Sequence, residues 1–287
     1  MNNSLLNKSF LIGSDPEVFL RRDGNLIPAF NFISGDKHSP QKTLHGSIQY
    51  DNIMAEFNSI PASSLDEFIT NHRLILDDLS SHLGNDLTID ITPAVVCDWE
   101  VLSDFRAMTM GCEPDYNAWT GRVNPKILGE STNLRVAGGH LHISTGIYED
   151  DSFDEDFRTR LVKALDLVLG VQSVLHDPSD ASKLRKQQYG KAGSFRPKII
   201  SKNDPYDGVE YRTLSNYWLK SDKFMRDVYL GVEKVINNIN ELAYIANKNK
   251  SLVTKIINNN DYKLAKKFVN NHSDIFDFSD YNTEVVA

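Results

Sequence analysis

Several short segments of this sequence alternate between polar and apolar residues, and residues 138–143 (GGHLHI) show the pattern most clearly. In a β-strand successive side chains point to opposite faces of the sheet, so His140 and His142 would share one face. Leu141 and Ile143 would enter the core from the other face. The two preceding glycines would let a nucleotide or another backbone approach closely. Histidine pairs also occur on ordinary hydrogen-bonded surface strands, so the meaning of this pair depends on the other segments.

Further segments place carboxylates on otherwise apolar strands. Asp15 and Glu17 share one face by the two-residue period, and Glu56 lies in the next strand. Glu210 is followed at the same spacing by Arg212. Burying a carboxylate among apolar neighbours is costly unless a cation meets it. Glu56 alone could be a solvent-facing edge residue, and Glu210 with Arg212 could be a structural salt bridge. Together, the segments predict one sheet whose concave face gathers carboxylates and imidazole rings.

A site of this composition favours particular metals. Carboxylate oxygens with imidazole nitrogen, and without thiolate, are typical of Mg²⁺ or Mn²⁺, which leave most of their coordination to water and phosphate oxygens. The two cysteines, Cys97 and Cys112, lack the C-x-x-C spacing of a metal site and are expected to be reduced. The strand pattern therefore predicts a metal site that binds nucleotide phosphate.

Residues 185–198 form a second unusual stretch, with five cations and two glycines in a chain of net charge −8. Arginine presents a planar fork to phosphate, and the backbone N–H groups of a glycine-containing loop can add to it. The spacing is neither a P-loop nor a Rossmann fingerprint. The stretch predicts a loop that binds a polyanion, with a solvated basic loop as the alternative.

Much of the remaining sequence is helical in pattern. Apolar residues recur at helical spacing over residues 63–83, 157–176 and 220–247. Six acids lie within residues 149–156, where they are expected to form the solvated start of a helix. Residues 220–272 hold ten Lys or Arg against five acids, which favours a solvated helix surface or a basic face for a partner.

These patterns predict a single domain over residues 1–287. Its sheet core would span about 10–220, its helical part about 220–272, and an acidic tail 273–287. No apolar run approaches the roughly 20 residues of a membrane helix, so no membrane partner is expected. The first residues are too polar for a signal peptide, which predicts a cytoplasmic protein. The net charge of −8 argues against general affinity for nucleic acid.

Five motifs, in their order along the chain, resemble those of a known family. They are GSDPE (13–17), AEFN (55–58), GGHLH (138–142), GKAGSFR (190–196) and VEYRTLS (209–215). The set, which spans about residues 10–220, is similar to that of the carboxylate-amine (COOH-NH2) ligases of tailed phages, often called amidoligase type 2. Those enzymes belong with glutamine synthetase and glutamate-cysteine ligase in one superfamily.

The resemblance implies an α+β fold of the glutamine synthetase type. It would have a curved antiparallel β-sheet, helices packed on the convex face, and a site for ATP with several Mg²⁺ or Mn²⁺ ions. The resemblance also implies a set of metal ligands, with Asp15 as an additional candidate. These ligands are Glu17, Glu56, His140 and Glu210.

The family resemblance further implies roles for the cations. Arg212 would steady the transferred phosphoryl group, with Arg196 as a second catalytic arginine. Arg185, Lys191 and Arg196 would bind the nucleotide phosphates. His142 would orient a metal-bound group or a phosphate in the same cofactor site.

The implied activity is ATP-dependent formation of an amide bond, of peptide or isopeptide type, through an acyl phosphate. The substrates would be a small-molecule or peptide carboxylate and an amine, neither of which the sequence identifies. A homo-oligomer is compatible with this reading, and the location would be the host cytoplasm if a phage encodes the chain. Two other functions fit the same residues: a metal-dependent phosphotransferase of the same fold, or a non-enzymatic phage protein that binds a host factor.

Overall fold

The computed structural model describes residues 10–108, 115–125, 132–145, 155–198 and 208–279. Its strands are β1 (Leu11–Ser14), β2 (Glu17–Arg22), β3 (Asn25–Ile27), β4 (Gln41–Lys42), β5 (Gly46–Asp51), β6 (Met54–Ser59), β7 (Thr88–Asp90), β8 (Ala94–Val96), β9 (Tyr116–Asn117), β10 (Arg122–Val123), β11 (Leu134–Val136), β12 (Leu141–Ser144), β13 (Ser194–Lys198) and β14 (Gly208–Tyr211). The alternating segments of the sequence therefore form strands, as predicted.

The helices within these ranges follow the apolar periodicity. They are α1 (Leu65–Leu83), α2 (Phe105–Met108), α3 (Glu155–Leu165), α4 (Val171–His176), α5 (Asp180–Gln188), α6 (Asp222–Asn237), α7 (Ile239–Lys248), α8 (Lys250–Asn259), α9 (Tyr262–Asn271) and α10 (Ser273–Phe276). A π-helical turn, Asp166–Gly170, joins α3 to α4. The helix predicted at residues 63–83 is confirmed, and the Ser64 side chain caps it by accepting from the Glu67 N–H.

The first sheet is antiparallel and has the strand order β1-β12-β14-β13-β9-β10. Its alternation is confirmed in β12 and β14, where Leu141, Ile143, Val209 and Tyr211 are buried in the main core. Helix α3 packs against β13 and β14, and α6 packs against α3. One face of this sheet is therefore covered by helices, and the polar side chains lie on the other face.

The second sheet is also antiparallel, with the order β3-β2-β6-β5-β4 and with β7 paired to β2. Asp15 and Pro16 join β1 of the first sheet to β2 of the second. Proline has no N–H for a strand ladder, and the Pro16 carbonyl accepts from the Phe57 N–H at 3.3 Å. The polar strands that the sequence assigned to one sheet are thus divided between two, with the corner between Asp15 and Glu17.

The predicted α+β class, an antiparallel sheet with helices packed on one face, is confirmed. The main core contains residues from both six-stranded sheets together with residues of α1, α3 and α6 to α9. At the end of the described chain, Ile275 is buried and Phe276 and Phe278 pack against the same core. The organisation of residues 1–287 as a single domain stays a prediction.

Two helical segments differ in detail from the sequence prediction. Residues 220–247 form two helices and not one, because the chain leaves helical geometry at Asn238. The Asn238 side-chain amide donates to the Lys234 carbonyl at 3.0 Å, a local hydrogen bond that competes with helix continuation. Residues 157–176 are helical as predicted, although the π turn at Asp166–Gly170 was not foreseen.

Some predicted features lie outside the described residues. They are most of the acidic run at 149–156, Cys112, and the tail beyond residue 279. The described parts of the connection at 105–133 contain α2 and the β9-β10 hairpin, which the sequence did not predict. Among the helices that the structure describes, none combines the length and apolar character needed to cross a membrane.

Candidate active site

The polar face of the first sheet carries a row of ionisable side chains. Glu210 of β14 lies opposite His142 of β12 and, on its other side, opposite Arg196 of β13. Continuing the pairing of β12 and β14 by one residue places Arg212 opposite His140. The strand register therefore brings the histidine pair and the Glu210/Arg212 pair together on one face.

Asp15, His142 and Glu210 form one candidate metal site, here called the imidazole cluster, because a ligand atom of each lies within 4.8 Å of the others. His142 Nε2 is 3.1 Å from Asp15 Oδ1. His140 lies beside the cluster, with Nδ1 3.3 Å from Asp15 Oδ1 and 3.6 Å from Glu210 Oε1. Burial, reinforced by the charge of Arg212, lowers the pKa of His140 to about 3, so its imidazole is neutral and able to ligate a metal.

Glu17, Asp51 and Glu56 form a second candidate metal site, the carboxylate cluster, again with ligand atoms within 4.8 Å of one another. Glu17 and Glu56 face each other across β2 and β6, and Asp51 ends the neighbouring strand β5. Burial and the charge of Asp51 raise the pKa of Glu17 to about 8. Burial and the charge of Asp15 raise the pKa of Glu56 well above its usual range. A divalent cation would relieve the repulsion among carboxylates held this closely.

The structure separates two residues that the sequence placed on one face. Strand β1 ends at Ser14 and β2 begins at Glu17, so the two-residue period does not carry across Asp15 and Pro16. Asp15 consequently joins the imidazole cluster and Glu17 joins the carboxylate cluster.

Asp51 is a site residue that the sequence reasoning missed. An unbroken strand over residues 47–59 would put Asp51 and Glu56 on opposite faces, but a turn at Asn52, where φ is 58°, divides it into β5 and β6. The signal for Asp51 lies in the strand register. Gln49 is opposite Glu56, and Asp51 follows Gln49 at a two-residue spacing on the same face.

Some buried polar atoms of the site have no hydrogen-bond partner among the residues that the structure describes. They are His140 Nε2 and Arg212 Nε, whereas Asp15 Oδ1 faces the two histidines and Glu210 Oε1 faces Arg212. Buried polar groups are normally satisfied, so unpaired atoms gathered in this way indicate a place for a ligand. Carboxylate oxygens and a neutral imidazole nitrogen suit Mg²⁺ or Mn²⁺, and the residues present therefore fit such an ion.

Two arginines flank Glu210. Arg212 Nη1 forms an ion pair with Glu210 Oε1, and Arg196 Nη1 lies 3.6 Å from the same oxygen. The ring of Tyr189 lies 4.9 Å from the guanidinium carbon of Arg212 and 5.7 Å from the ring of His140. Cations at this position, beside candidate metal ligands, can stabilise an anionic phosphoryl group. Tyr189, which the sequence analysis does not single out, forms a cation-π contact with Arg212.

Lys198 contacts the imidazole cluster through His142. Its Nζ lies 2.8 Å from His142 Nδ1. A lysine ammonium can only donate, so Nδ1 is the acceptor and Nε2 carries the proton directed at Asp15 Oδ1. In this tautomer His142 orients Asp15, and the carboxylates of the cluster are the candidate metal ligands. The sequence places Lys198 only in the basic stretch at 185–198. Its contact with His142 depends on the strand order β12-β14-β13, which the sequence does not reveal.

Arg185 lies beneath the site. It is fully buried, and its guanidinium donates to the backbone carbonyls of Ala137 at 2.8 Å, Thr213 at 3.0 Å and Leu214 at 2.8 Å. Lys186 likewise donates to the Thr213 carbonyl at 2.7 Å. These contacts fix the segment that follows β14, so the placement favours a structural role over the phosphate contact predicted for Arg185.

The loop between α5 and β13 is smaller than the basic loop that the sequence predicted. Arg185 and Lys186 belong to α5, and Arg196 and Lys198 belong to β13. Lys191, for which the sequence predicted a phosphate contact, lies in the loop between them with an exposed side chain. The five cations therefore do not form one surface.

The two glycines before the histidine pair make room for protein groups. A Cβ on Gly138 would overlap the ring of His140, and one on Gly139 would overlap the carbonyl oxygen of Ser215. The Gly138 N–H donates to Glu17 Oε2 at 2.6 Å. The close approach predicted at these glycines is thus made by the Ser215 carbonyl, which follows β14, and by the ring of His140.

Comparisons with known proteins agree with this chemistry. The model of the family described as phage phiEco32-like COOH.NH2 ligase-type 2 matches residues 130–286, which include both histidines, Arg196, Glu210 and Arg212. No protein with a curated description matches the sequence.

Similar solved structures include a bifunctional glutathione synthetase from Pasteurella multocida, at 12% identity and a TM-score of 0.44, covering 88% of this chain and 41% of that one. Another is a novel glutamine synthase homologue, at 11% identity and a TM-score of 0.43, covering 93% of this chain and 67% of that one. The chain thus spans about two fifths of the length of the glutathione synthetase.

The family match covers more than half of the chain and confirms the family resemblance; the matched residues include three of the five sequence motifs, at 138–142, 190–196 and 209–215. This protein belongs to the phage phiEco32-like carboxylate-amine (COOH-NH2) ligase family, type 2.

Proposed function

We propose that this protein joins a carboxylate to an amine at the expense of ATP, through an acyl phosphate. One observation carries the proposal: Glu210 lies beside Asp15 and His142 of the imidazole cluster, a candidate metal site, and also contacts two arginines, Arg212 and Arg196. Phosphoryl transfer needs this combination, since catalysis of it consists mainly of positioning and of charge stabilisation.

The two clusters would bind metal ions, and the neighbouring arginines would stabilise the transferring phosphoryl group. Mg²⁺ or Mn²⁺ bound by the imidazole and carboxylate clusters would neutralise phosphate oxygens and act as a Lewis acid. His140, neutral because it is buried, directs Nδ1 toward Asp15 and Glu210 of the imidazole cluster. Arg212 and Arg196 stabilise the negative charge that develops on the transferring phosphoryl group. Lys198 and His142 hold Asp15 in place.

The proposed reaction has two steps. A carboxylate oxygen of the substrate attacks the γ-phosphorus of ATP, and ADP leaves with the bonding electrons to give an acyl phosphate. The nitrogen of an amine then attacks the acyl carbon, the bond to the phosphate oxygen breaks, and phosphate leaves as an amide forms with release of a proton. Activation is needed because a free carboxylate offers the amine only a poor leaving group.

The proposal is tested by incubating the purified protein with ATP, Mg²⁺, a pool of free amino acids and a pool of polyamines. We expect phosphate release that requires both an acid and an amine, and mass spectrometry should detect a product that has lost one water relative to the two substrates. Leaving out either pool is the control.

Other outcomes would separate the alternative functions. A phosphorylated amine without amide would favour the phosphotransferase. Absence of any turnover, together with absence of Mn²⁺ binding in calorimetry, would refute both enzymatic functions and leave the host-factor binding protein.

A further inference from the structure

One carboxylate beside the arginines belongs to neither metal cluster. Asp115 immediately precedes β9, which pairs with β13 through Tyr116 and Phe195. Continuing that register by one residue places Asp115 opposite Arg196, which is itself opposite Glu210. Asp115 therefore ends the polar row of the first sheet, on the side of the arginines away from the imidazole cluster.

The Asp115 carboxylate is held through Oδ1 by Asn124, and its Oδ2 faces Arg212. Oδ1 accepts from Asn124 Nδ2 at 2.5 Å, and the Asn124 N–H donates to the Asp115 carbonyl at 2.8 Å. Oδ2 lies 3.7 Å from Arg212 Nε, which is too long for a hydrogen bond. An ionised carboxylate has about four acceptor positions, and within the described residues the hydrogen bond from Asn124 occupies one of those on Asp115.

This position matches a requirement of the second chemical step. The attacking amine must stand next to the acyl phosphate, whose phosphoryl group lies at Arg212 in the proposed function. Most biological amines are cations at neutral pH and must lose a proton before they can attack. A carboxylate at that place both attracts the cation and can take its proton.

We propose that Asp115 is the anionic part of the amine subsite, where it binds a primary amine or ammonium ion and accepts its proton. The inference rests on the proposed ligase function. The proton passes from the ammonium nitrogen to Asp115, the resulting amine attacks the acyl carbon, and phosphate leaves with the electrons of the broken bond. Asp115 then returns its proton to solvent, and the amide nitrogen loses its second proton there as well.

The environment of Asp115 suits a proton acceptor. Burial raises its pKa above the usual value, although the hydrogen bond from Asn124 and the charges of Arg212 and Arg196 act in the opposite direction. The competing explanation is that Asp115 only orients Arg212. In that case its loss would impair phosphoryl transfer, whichever nucleophile follows.

The two explanations are separated by comparing two nucleophiles in wild type and Asp115→Asn. Both proteins receive ATP, Mg²⁺ and the pool of free amino acids, with either isotopically labelled ammonium chloride or hydroxylamine. Hydroxylamine is largely uncharged at neutral pH, so it needs neither an anionic subsite nor a proton acceptor. We expect Asp115→Asn to keep hydroxamate formation near the wild-type rate while the labelled amide falls by about 10²-fold.

Asp90→Asn is the matched control, because Asp90 also pairs with an arginine, Arg21 at 2.6 Å, outside the site. It should leave both products unchanged. If Asp115→Asn lowers both products equally, or lowers neither, the subsite is refuted. Hydroxamate without labelled amide in the wild type would also refute it, because the site would then reject ammonium. Absence of both products in the wild type would instead refute the ligase function on which the inference rests.

Discussion

Strand β14 separates two buried carboxylates that differ in how their charge is met. Behind the strand, Asp166 of the π turn accepts from Trp119 Nε1 at 2.6 Å, Tyr211 Oη at 2.8 Å and Thr213 Oγ1 at 3.0 Å. In front of it, Glu210 Oε1 faces ionisable groups: it pairs with Arg212 Nη1 and lies 3.6 Å from both Arg196 Nη1 and His140 Nδ1.

Burial alone does not distinguish the two groups. It raises the pKa of Asp166 to about 6 and, together with the charge of Asp15, that of Glu210 to about 7. The difference lies in hydrogen bonding, because neutral donors surround Asp166 and charges surround Glu210. A buried carboxylate held by neutral donors stabilises the fold, whereas one held among other charges is placed to meet a charged ligand. The comparison predicts that replacing Glu210 lowers ATP turnover but not stability, and that replacing Asp166 lowers stability but not ATP turnover.

The largest effect is expected for Glu210→Gln. The amide keeps the shape but removes the charge that a metal ion and Arg212 both require, so ATP turnover should fall by about 10³-fold or more. The free energy of unfolding should change little without metal, because the substitution removes the repulsion between Glu210 and Asp15, and Arg212 keeps the charges of Asp15 and Asp115 beside it. Phosphate release and urea denaturation measure the two quantities.

Glu56→Gln should behave in the same way, and Glu241→Gln, at an exposed position on α7, is the control that should change nothing. If Glu210→Gln unfolds the protein, or turns over ATP at the wild-type rate, then the assignment of the front carboxylate to ligand binding is wrong.

The converse is expected for Asp166→Ala. Three buried donors on Trp119, Tyr211 and Thr213 would lose their acceptor, so the free energy of unfolding should fall by about 3 kcal/mol. Turnover per folded molecule should stay within about twofold of the wild type, since Asp166 does not reach the polar face. Urea denaturation with an active-site titration separates these effects. A loss of turnover at unchanged stability would show that Asp166 acts in the reaction and not in the fold.

The sequence could predict the fold class and part of the site for a simple reason. Side chains two apart on a strand share a face, so the pairing of His140 with His142 and of Glu210 with Arg212 follows from local spacing. Those predictions survive because β12 and β14 are regular and adjacent.

Other features depend on contacts between distant segments, which spacing does not encode. Pro16 breaks the strand, so Asp15 and Glu17 separate despite their spacing. Asp51 and Asp115 reach the site only through strand register, because an unbroken strand would turn Asp51 away from Glu56, and Asp115 lies in a segment without strand alternation. The burial of Arg185 depends on carbonyl groups more than 25 residues away, at Thr213 and Leu214.

The pH dependence of metal binding is a further difference expected between the front and the back of the sheet. A metal ion binds the ionised carboxylate, so protons compete with it wherever the pKa is raised. With the pKa of Glu17 at about 8, Mn²⁺ affinity should rise by about tenfold per pH unit between pH 6 and 8 and then level off. Calorimetry in buffers of different ionisation enthalpy would also measure the released proton.

The same shift gives the metal-free protein an opposite trend. Its folded state holds a proton on Glu17 that the unfolded chain has already lost above pH 4.5, so stability should fall as pH rises toward 8. Asp166→Ala should leave the Mn²⁺ profile unchanged, because Asp166 lies behind the sheet. A profile that is flat in the wild type would contradict the carboxylate cluster as a metal site.

The smallest expected effect concerns Tyr189, whose ring touches both the arginine and the histidine of the front face. Replacing it with Leu removes a cation-π contact of about 1 kcal/mol with Arg212, which corresponds to roughly fivefold in the rate constant kcat. Tyr189→Phe keeps the ring and should keep kcat. The KM for ATP should change less than kcat in both variants, because the ring orients the arginine that acts on the transferring group. Loss of activity in Tyr189→Phe as large as in Tyr189→Leu would instead assign the effect to the buried hydroxyl, and would place Tyr189 among the groups that contact the ligand.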